Sequence, residues 1–272
     1  MKKDKEIYLM IILIITSFSI SSFASTGESN QVVKSIAQKA QSKKVIITGS
    51  NRGLGLGWTK YYLKAGYFVM ATCRKPEKAT DLIELVEKYG DQLQIEQLDV
   101  TSETSFDALS KKLKSEGQIF DIAISNAAVA VGEQFGEWTL ENFEFILRVN
   151  IIGTALFDQM IKPFLIKGSK LIQVSSGMGS IQYNVNPKGP LDAYAISKAG
   201  VNMLTKRISA RFEEEGIIVV AINPGWVKTE MGGKDAPETV EFSIQKMAST
   251  VENLTMENSG GFYNKDGEVL KW

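Results

Sequence analysis

Thr48-Gly49-Ser50-Asn51-Arg52-Gly53-Leu54-Gly55 follows the short apolar run Val45-Ile46-Ile47 and opens a segment, Leu54 to Lys64, that reads as a helix. A glycine pattern between a strand and a helix is the context in which backbone amides cradle phosphate. Glycine lets the chain turn sharply and approach an anion closely, and the free N–H groups and dipole of a helix start favour negative charge. The spacing here is Thr-Gly-x3-Gly-x-Gly, not the commoner Gly-x-Gly-x-x-Gly. A ligand-free tight turn carries the same glycines, so the rest of the chain must decide the reading.

Downstream, apolar runs alternate with helical patterns. Tyr67 to Thr72 is followed by Cys73-Arg74-Lys75-Pro76 and then by Leu82, Ile83, Leu85, Val86 and Tyr89 at helical spacing. Leu93 to Leu98 leads into Asp99-Val100, with Thr101 or Ser102 to cap a helix carrying Phe106, Leu109 and Leu113. Phe120 to Ile124 runs into Ser125-Asn126-Ala127-Ala128, and a long helical region from Leu140 to Met160 holds Asn150 before Pro163 ends it. Lys170 to Val174 precedes a Gly-, Asn- and Pro-rich loop, a helix from Leu191 to Phe212, and a last run, Ile217 to Ile222, stopped by Asn223-Pro224-Gly225. This alternation predicts an α/β fold: a single doubly wound (Rossmann) domain with a mostly parallel six- to seven-stranded sheet flanked by helices. An extra strand is expected near Gly261-Phe262-Tyr263.

The chain has 272 residues, 44% of them hydrophobic, and 31 basic residues balance 31 acidic ones. Neither a nucleic-acid partner nor disorder is suggested by that balance. There is no histidine, which excludes a His general base, a His triad and a His-ligated zinc site; one cysteine, Cys73, excludes an internal disulfide and a cysteine metal cluster. No metal site is expected. Residues 1–24 stand apart: Lys2, Lys3 and Lys5 precede the apolar run Ile7 to Ile15, and Ser22-Phe23-Ala24 supplies small residues for cleavage. This is the layout of a signal peptide, with an uncleaved anchor as the alternative, so an exported protein is expected and a cytoplasmic one is the other reading. Residues 25–42 read as a polar linker and 43–272 as the domain.

Tyr194 and Lys198, four residues apart, share a helix face, with Ile196, Ala199, Gly200, Met203 and Leu204 gathered opposite as the expected packing stripe. An isolated pair of this kind suits a solvated face. As a functional pair, the ammonium would lower the pKa of a phenol that otherwise titrates near ~10, and in a chain without histidine the phenol becomes an acid–base candidate.

These residues carry a resemblance. Thr48-Gly49-x3-Gly53-x-Gly55, Asn126-Ala127-Ala128, Asn150, Ser175-Ser176, Tyr194-x3-Lys198 and Asn223-Pro224-Gly225 occur in the order typical of short-chain dehydrogenases/reductases, across residues 43 to 272. Ala71-Thr72-Cys73-Arg74, the stretch Pro224 to Gly233 and the closing Trp272 look like the C-factor and Sniffer-type carbonyl reductases. The resemblance implies an NADP-dependent oxidoreductase acting on a small apolar carbonyl or alcohol. Tyr194 would exchange a proton with the substrate oxygen, and Lys198 would hold the nicotinamide ribose and lower the Tyr194 pKa. Ser176 would bond the substrate carbonyl, and Asn150 would hold a relay water. Gly49, Ser50, Asn51, Arg52, Gly53 and Gly55 would line the pyrophosphate side. Asp99 and Val100 would border adenine, and Asn126, Pro224, Gly225 and Val227 would complete the cofactor channel. A homo-oligomer paired through the helices holding Asn150 and Tyr194 is compatible with the resemblance, and the sequence leaves the oligomeric state open.

Two departures stand out: Ala128 where the family has glycine, and a long interval between Ser176 and Tyr194. Cofactor choice can be read from the residues. An NAD site places a carboxylate at the end of the second strand, yet no Asp or Glu occurs from Ser50 through Pro76, where Arg52, Arg74 and Lys75 stand instead. A 2′-phosphate suits a guanidinium, so NADP is expected. Met178, Ile181, Tyr183, Trp226 and Met231, in the loops after the fifth and sixth strands, suggest an apolar substrate. A non-catalytic dinucleotide-binding or interaction protein is the alternative, and a sugar-nucleotide epimerase would need more chain after Met231.

Overall fold

A computed structural model of the chain describes residues 42–272. The signal-like segment 1–24 and nearly all of the linker 25–42 lie outside the described residues. The elements are β1 (Lys44–Thr48), α1 (Gly53–Lys64), β2 (Phe68–Cys73), α2 (Thr80–Tyr89), β3 (Leu93–Gln97), α3 (Glu103–Ser115) and β4 (Phe120–Ser125). They continue as α4 (Leu140–Leu147), α5 (Gly153–Ile161), β5 (Leu165–Val174), α6 (Asp192–Phe212), β6 (Ile218–Asn223), α7 (Val240–Asn253) and β7 (Phe262–Asn264). The strands form one sheet in the order β3-β2-β1-β4-β5-β6-β7, every neighbouring pair parallel.

Successive strand residues point to opposite faces, and both faces are dry. Val45, Ile47, Val69, Val220 and Ile222 pack with Trp58 and Tyr62 of α1, Leu82 of α2, and Ile244, Met247 and Val251 of α7. Ile46, Met70, Ala123, Leu171 and Val219 pack with Phe106 and Leu113 of α3, Phe157 and Ile161 of α5, and Phe212 of α6. Each fully buried side chain of this size is worth roughly 1.5–3 kcal/mol, more than an exposed ion pair contributes. Strand order reverses between β1 and β4, which leaves a crevice at the carboxyl ends of those strands.

Four features depart from the expectations. The helical region Leu140 to Met160 is two helices, because a π-turn at Arg148–Ile152 separates α4 from α5. β5 starts at Leu165 rather than Lys170; its pairing with β4 slips between Phe120↔Leu165 and Ile122↔Lys170, so polar residues interrupt a strand that continues. α7 was not anticipated, although Ile244, Met247, Ala248 and Val251 recur at helical spacing behind an N-cap at Thr239, whose hydroxyl accepts from the Phe242 N–H at 3.2 Å. The face of α6 is also reversed. Ser197, Lys198, Val201, Asn202 and Thr205 are buried, whereas Ile196 and Met203 are exposed. The reason is that β5 and the residue after it offer Gln173 and Ser175 to α6, which polar side chains satisfy and apolar ones would orphan.

Candidate active site

β1 delivers the chain into the glycine turn. Gly49 and Gly53 have φ of +67° and +53°, the left-handed region open to glycine. A Cβ at Gly55 would lie 2.1 Å from the Gly49 carbonyl oxygen and 2.7 Å from Asn126 Nδ2, so the α1 start can approach the turn only without one. No side chain caps α1 and its first turn holds no carboxylate, which leaves free amides and the positive dipole end facing the crevice. This cradle fits a diphosphate. Asn126 braces it: its N–H donates to Thr48 Oγ1 at 2.9 Å, and its Nδ2 donates to the carbonyls of Thr48 at 2.9 Å and Gly49 at 3.3 Å.

Not all residues expected in the cradle point into it. Ser50 is buried, its N–H donating to the Thr72 carbonyl and its hydroxyl to that of Ile47, so it ties the turn to the sheet. Asn51, Arg52 and Arg74 are exposed at its rim, and Arg52 is paired with Glu230. Asp99 accepts from the N–H and hydroxyl of Thr101 at 2.9 and 2.7 Å, and Val100 is buried; both mark the end of β3, but their local contacts are structural.

The carboxyl ends of β5 and the start of α6 bring Ser176, Tyr194 and Lys198 together. Ser176 accepts from the Met178 N–H at 3.2 Å and bonds the Tyr194 hydroxyl, whereas Ser175 turns inward and donates to Asn202 Oδ1 at 2.6 Å. Lys198 is buried, its Nζ donating to the Val174 carbonyl at 2.8 Å and lying 5.6 Å from the Tyr194 ring centre. Burial pushes the Lys198 ammonium down to about 8. Burial also pushes the Tyr194 phenol up to about 12, which the Ser176 bond offsets in part. The direction is opposite to the lowering by Lys198 that the resemblance implies. Desolvation dominates the phenol, and Lys198 Nζ is directed at the Val174 carbonyl rather than at the phenolic oxygen.

Asn150 sits fully buried in the π-turn. Its Nδ2 donates to the Val129 carbonyl and to Ser197 Oγ, and its Oδ1 accepts from the Val129 N–H, each at 2.9 Å. Ser197 in turn donates to the Tyr194 carbonyl at 2.6 Å. The Asn150 amide thus braces the helix that carries Tyr194. Asn223 accepts from the N–H groups of Gly177 and Gly225 at 2.9 and 3.3 Å and joins the loops after β5 and β6. Pro224 is buried, its carbonyl accepting from Ser243, and Val227 is buried beside Glu238. Ile181, Tyr183, Trp226 and Met231 are exposed around the crevice. The roles of Asn202, Ser197 and Asn223 had no signal in the sequence beyond being amides or hydroxyls near motif residues.

A family model described as short chain dehydrogenase matches residues 43–239. The chain is similar to an NADPH-bound carbonyl reductase from chicken fatty liver: 33% identity, TM-score 0.80, covering 85% of this chain and 94% of that one. It is also similar to the carbonyl reductase Sniffer of Drosophila melanogaster, at 29% identity and TM-score 0.80, covering 85% of this chain and all of that one (100%). A short chain dehydrogenase of Penicillium aethiopicum is 31% identical over 253 residues, covering 84% of this chain and 98% of the relative.

Proposed function

The chain belongs to the short-chain dehydrogenase family, and from that premise we propose that it is an NADP(H)-dependent carbonyl reductase whose proton donor is Tyr194. The observation that carries the reading is the meeting of Tyr194, Ser176 and a buried Lys198 at the same carboxyl end of the sheet as an uncapped glycine cradle. A chain that only bound a dinucleotide would not need a desolvated ammonium beneath a phenol. The NADPH held by the chicken carbonyl reductase supports the cofactor assignment.

Bound NADPH would supply the hydride. The chain's own residues would do the rest. Gly49, Gly53 and Gly55 admit the diphosphate to the start of α1, and Arg52 and Arg74 offer guanidinium groups to a 2′-phosphate. Ser176 Oγ donates to the substrate carbonyl oxygen and fixes it beside the Tyr194 hydroxyl. The phenol gives its proton to that oxygen as negative charge develops there. Lys198 holds a positive charge beneath the phenol, which stabilises the tyrosinate left behind. Ile181, Tyr183, Trp226 and Met231 line the approach, so the carbonyl compound is apolar.

Incubation of the full chain with NADPH and a panel of aldehydes, ketones and quinones, followed by loss of reduced-cofactor absorbance, tests the activity. Steady-state kinetics with both cofactors tests the choice. kcat/KM should favour NADPH over NADH, and Arg74→Asp should shrink or invert that preference. Equal or better efficiency with NADH in the wild type would contradict the assignment.

A further inference from the structure

Arg52 and Glu230 are 178 residues apart in sequence, yet their side chains form an ion pair across the mouth of the cradle. Arg52 occupies the N-cap position of α1 in extended backbone, with its side chain 60% exposed; Glu230 is 76% exposed. Glu230 belongs to the loop between β6 and α7. That loop is internally braced: Trp226 Nε1 donates to the Gly232 carbonyl at 2.8 Å, and Thr229 Oγ1 accepts from the Gly232 N–H at 3.0 Å. The Lys228 N–H donates to the Glu238 carbonyl at 2.7 Å. The loop rests on the glycine turn, since a Cβ at Gly53 would meet the Thr229 methyl at 3.6 Å.

We propose that Glu230 is a specificity-determining residue that competes with a ribose 2′-phosphate for Arg52, so that phosphate binding unlatches the β6–α7 loop. The proposal rests on the NADP(H) reading above. A phosphate dianion engaging Arg52 comes up against the Glu230 carboxylate, and like charges at that separation repel. One anion must leave, and a pair this exposed is weak enough to exchange. Releasing Glu230 loosens the turn that carries Met231, one of the apolar groups at the substrate approach, while buried Val227, bridged to Glu238, holds the base of the loop. The unlatched loop then couples cofactor binding to substrate access, and by reciprocity whatever holds the loop down weakens 2′-phosphate binding.

Titration of the full chain with adenosine 2′,5′-bisphosphate and with adenosine 5′-phosphate isolates the 2′-phosphate without requiring turnover. Glu230→Gln should bind the bisphosphate about three-fold more tightly, the scale of an exposed ion pair, and the monophosphate unchanged. In an Arg52→Ala background, Glu230→Gln should have no further effect, because the two residues act through one contact. Unchanged or weaker bisphosphate binding by Glu230→Gln, with Arg52→Ala still weakening it, would overturn the latch and leave the cofactor reading standing. Arg52→Ala with undiminished bisphosphate affinity would overturn the latch alone, whereas a wild type that binds the bisphosphate no more tightly than the monophosphate would overturn the cofactor reading. Limited trypsin digestion gives a second readout. The exposed Lys228 and Lys234 should be cut faster once the bisphosphate is added to wild type, and equally fast with or without it in Glu230→Gln. Wild-type cleavage that the bisphosphate slows or leaves unchanged would contradict unlatching.

Discussion

Lys198 and Tyr194 hold their protons over different ranges, and that difference sets the pH behaviour of the site. With the ammonium near 8 and the phenol near 12, both groups are protonated below about pH 8. Between those values the donor keeps its proton while Lys198 loses the charge that stabilises tyrosinate. kcat/KM for carbonyl reduction should therefore be flat below about pH 8 and fall above it, because that parameter reports the free enzyme. A profile that rises through pH 9 would contradict the assignment of Lys198. The pairing of the two residues was legible from a spacing of four in the sequence. The directions of their pKa shifts were not, because a string of residues records the neighbouring charge but not the loss of water around both groups. The anchoring of Ser50 was hidden for a related reason: its N–H and hydroxyl donate to carbonyls of two strands that only the fold brings beside it.

α6 shows where pattern reading fails at the scale of an element. An apolar stripe normally marks the buried face, yet here the buried face is polar because a hydrogen-bonded network runs through it. Thr205 bonds Gln173 on β5, Gln173 bonds Asp158 on α5, and Ser125 at the end of β4 donates to Asp158 at 3.0 Å. Asp158 is fully buried, and desolvation raises its carboxyl to about 7 against a usual 3.8, its two hydrogen bonds pulling the other way. The folded protein then holds a proton that the unfolded chain releases, so this contribution to stability is complete at low pH and is lost as pH rises from about 4 to about 7. Asp158→Asn carries no such proton. Between about pH 5 and pH 8 the wild type should lose roughly 2.5 kcal/mol relative to that variant, measured from urea unfolding at both values. A difference that does not change with pH would refute the buried carboxylic acid. The π-turn at Asn150 was equally invisible beforehand, since Leu140 to Met160 keeps an unbroken helical pattern and only the tertiary bonds to Val129 and Ser197 show what the extra residue in the turn serves.

For the molecule as a whole, alternation of apolar runs and helices carried the parallel sheet, and the glycine turn carried its switch point, because both depend on local chain order. α7 was harder, being hidden behind a loop, whereas β7 at Phe262–Asn264 falls where the extra strand is expected. Among the described residues no helix is long and apolar enough to cross a membrane. Residues 1–24 are expected to direct export and to be removed; cell fractionation with N-terminal sequencing checks this, and a cytoplasmic protein beginning at Met1 would exclude it. Tyr194→Phe deletes one hydroxyl, the proposed proton donor, and leaves the cradle in place. Turnover of a carbonyl substrate with NADPH should fall at least ~100-fold, the usual worth of a positioned proton donor, while NADPH affinity stays within about three-fold of wild type. Turnover within a few-fold of wild type would contradict the account.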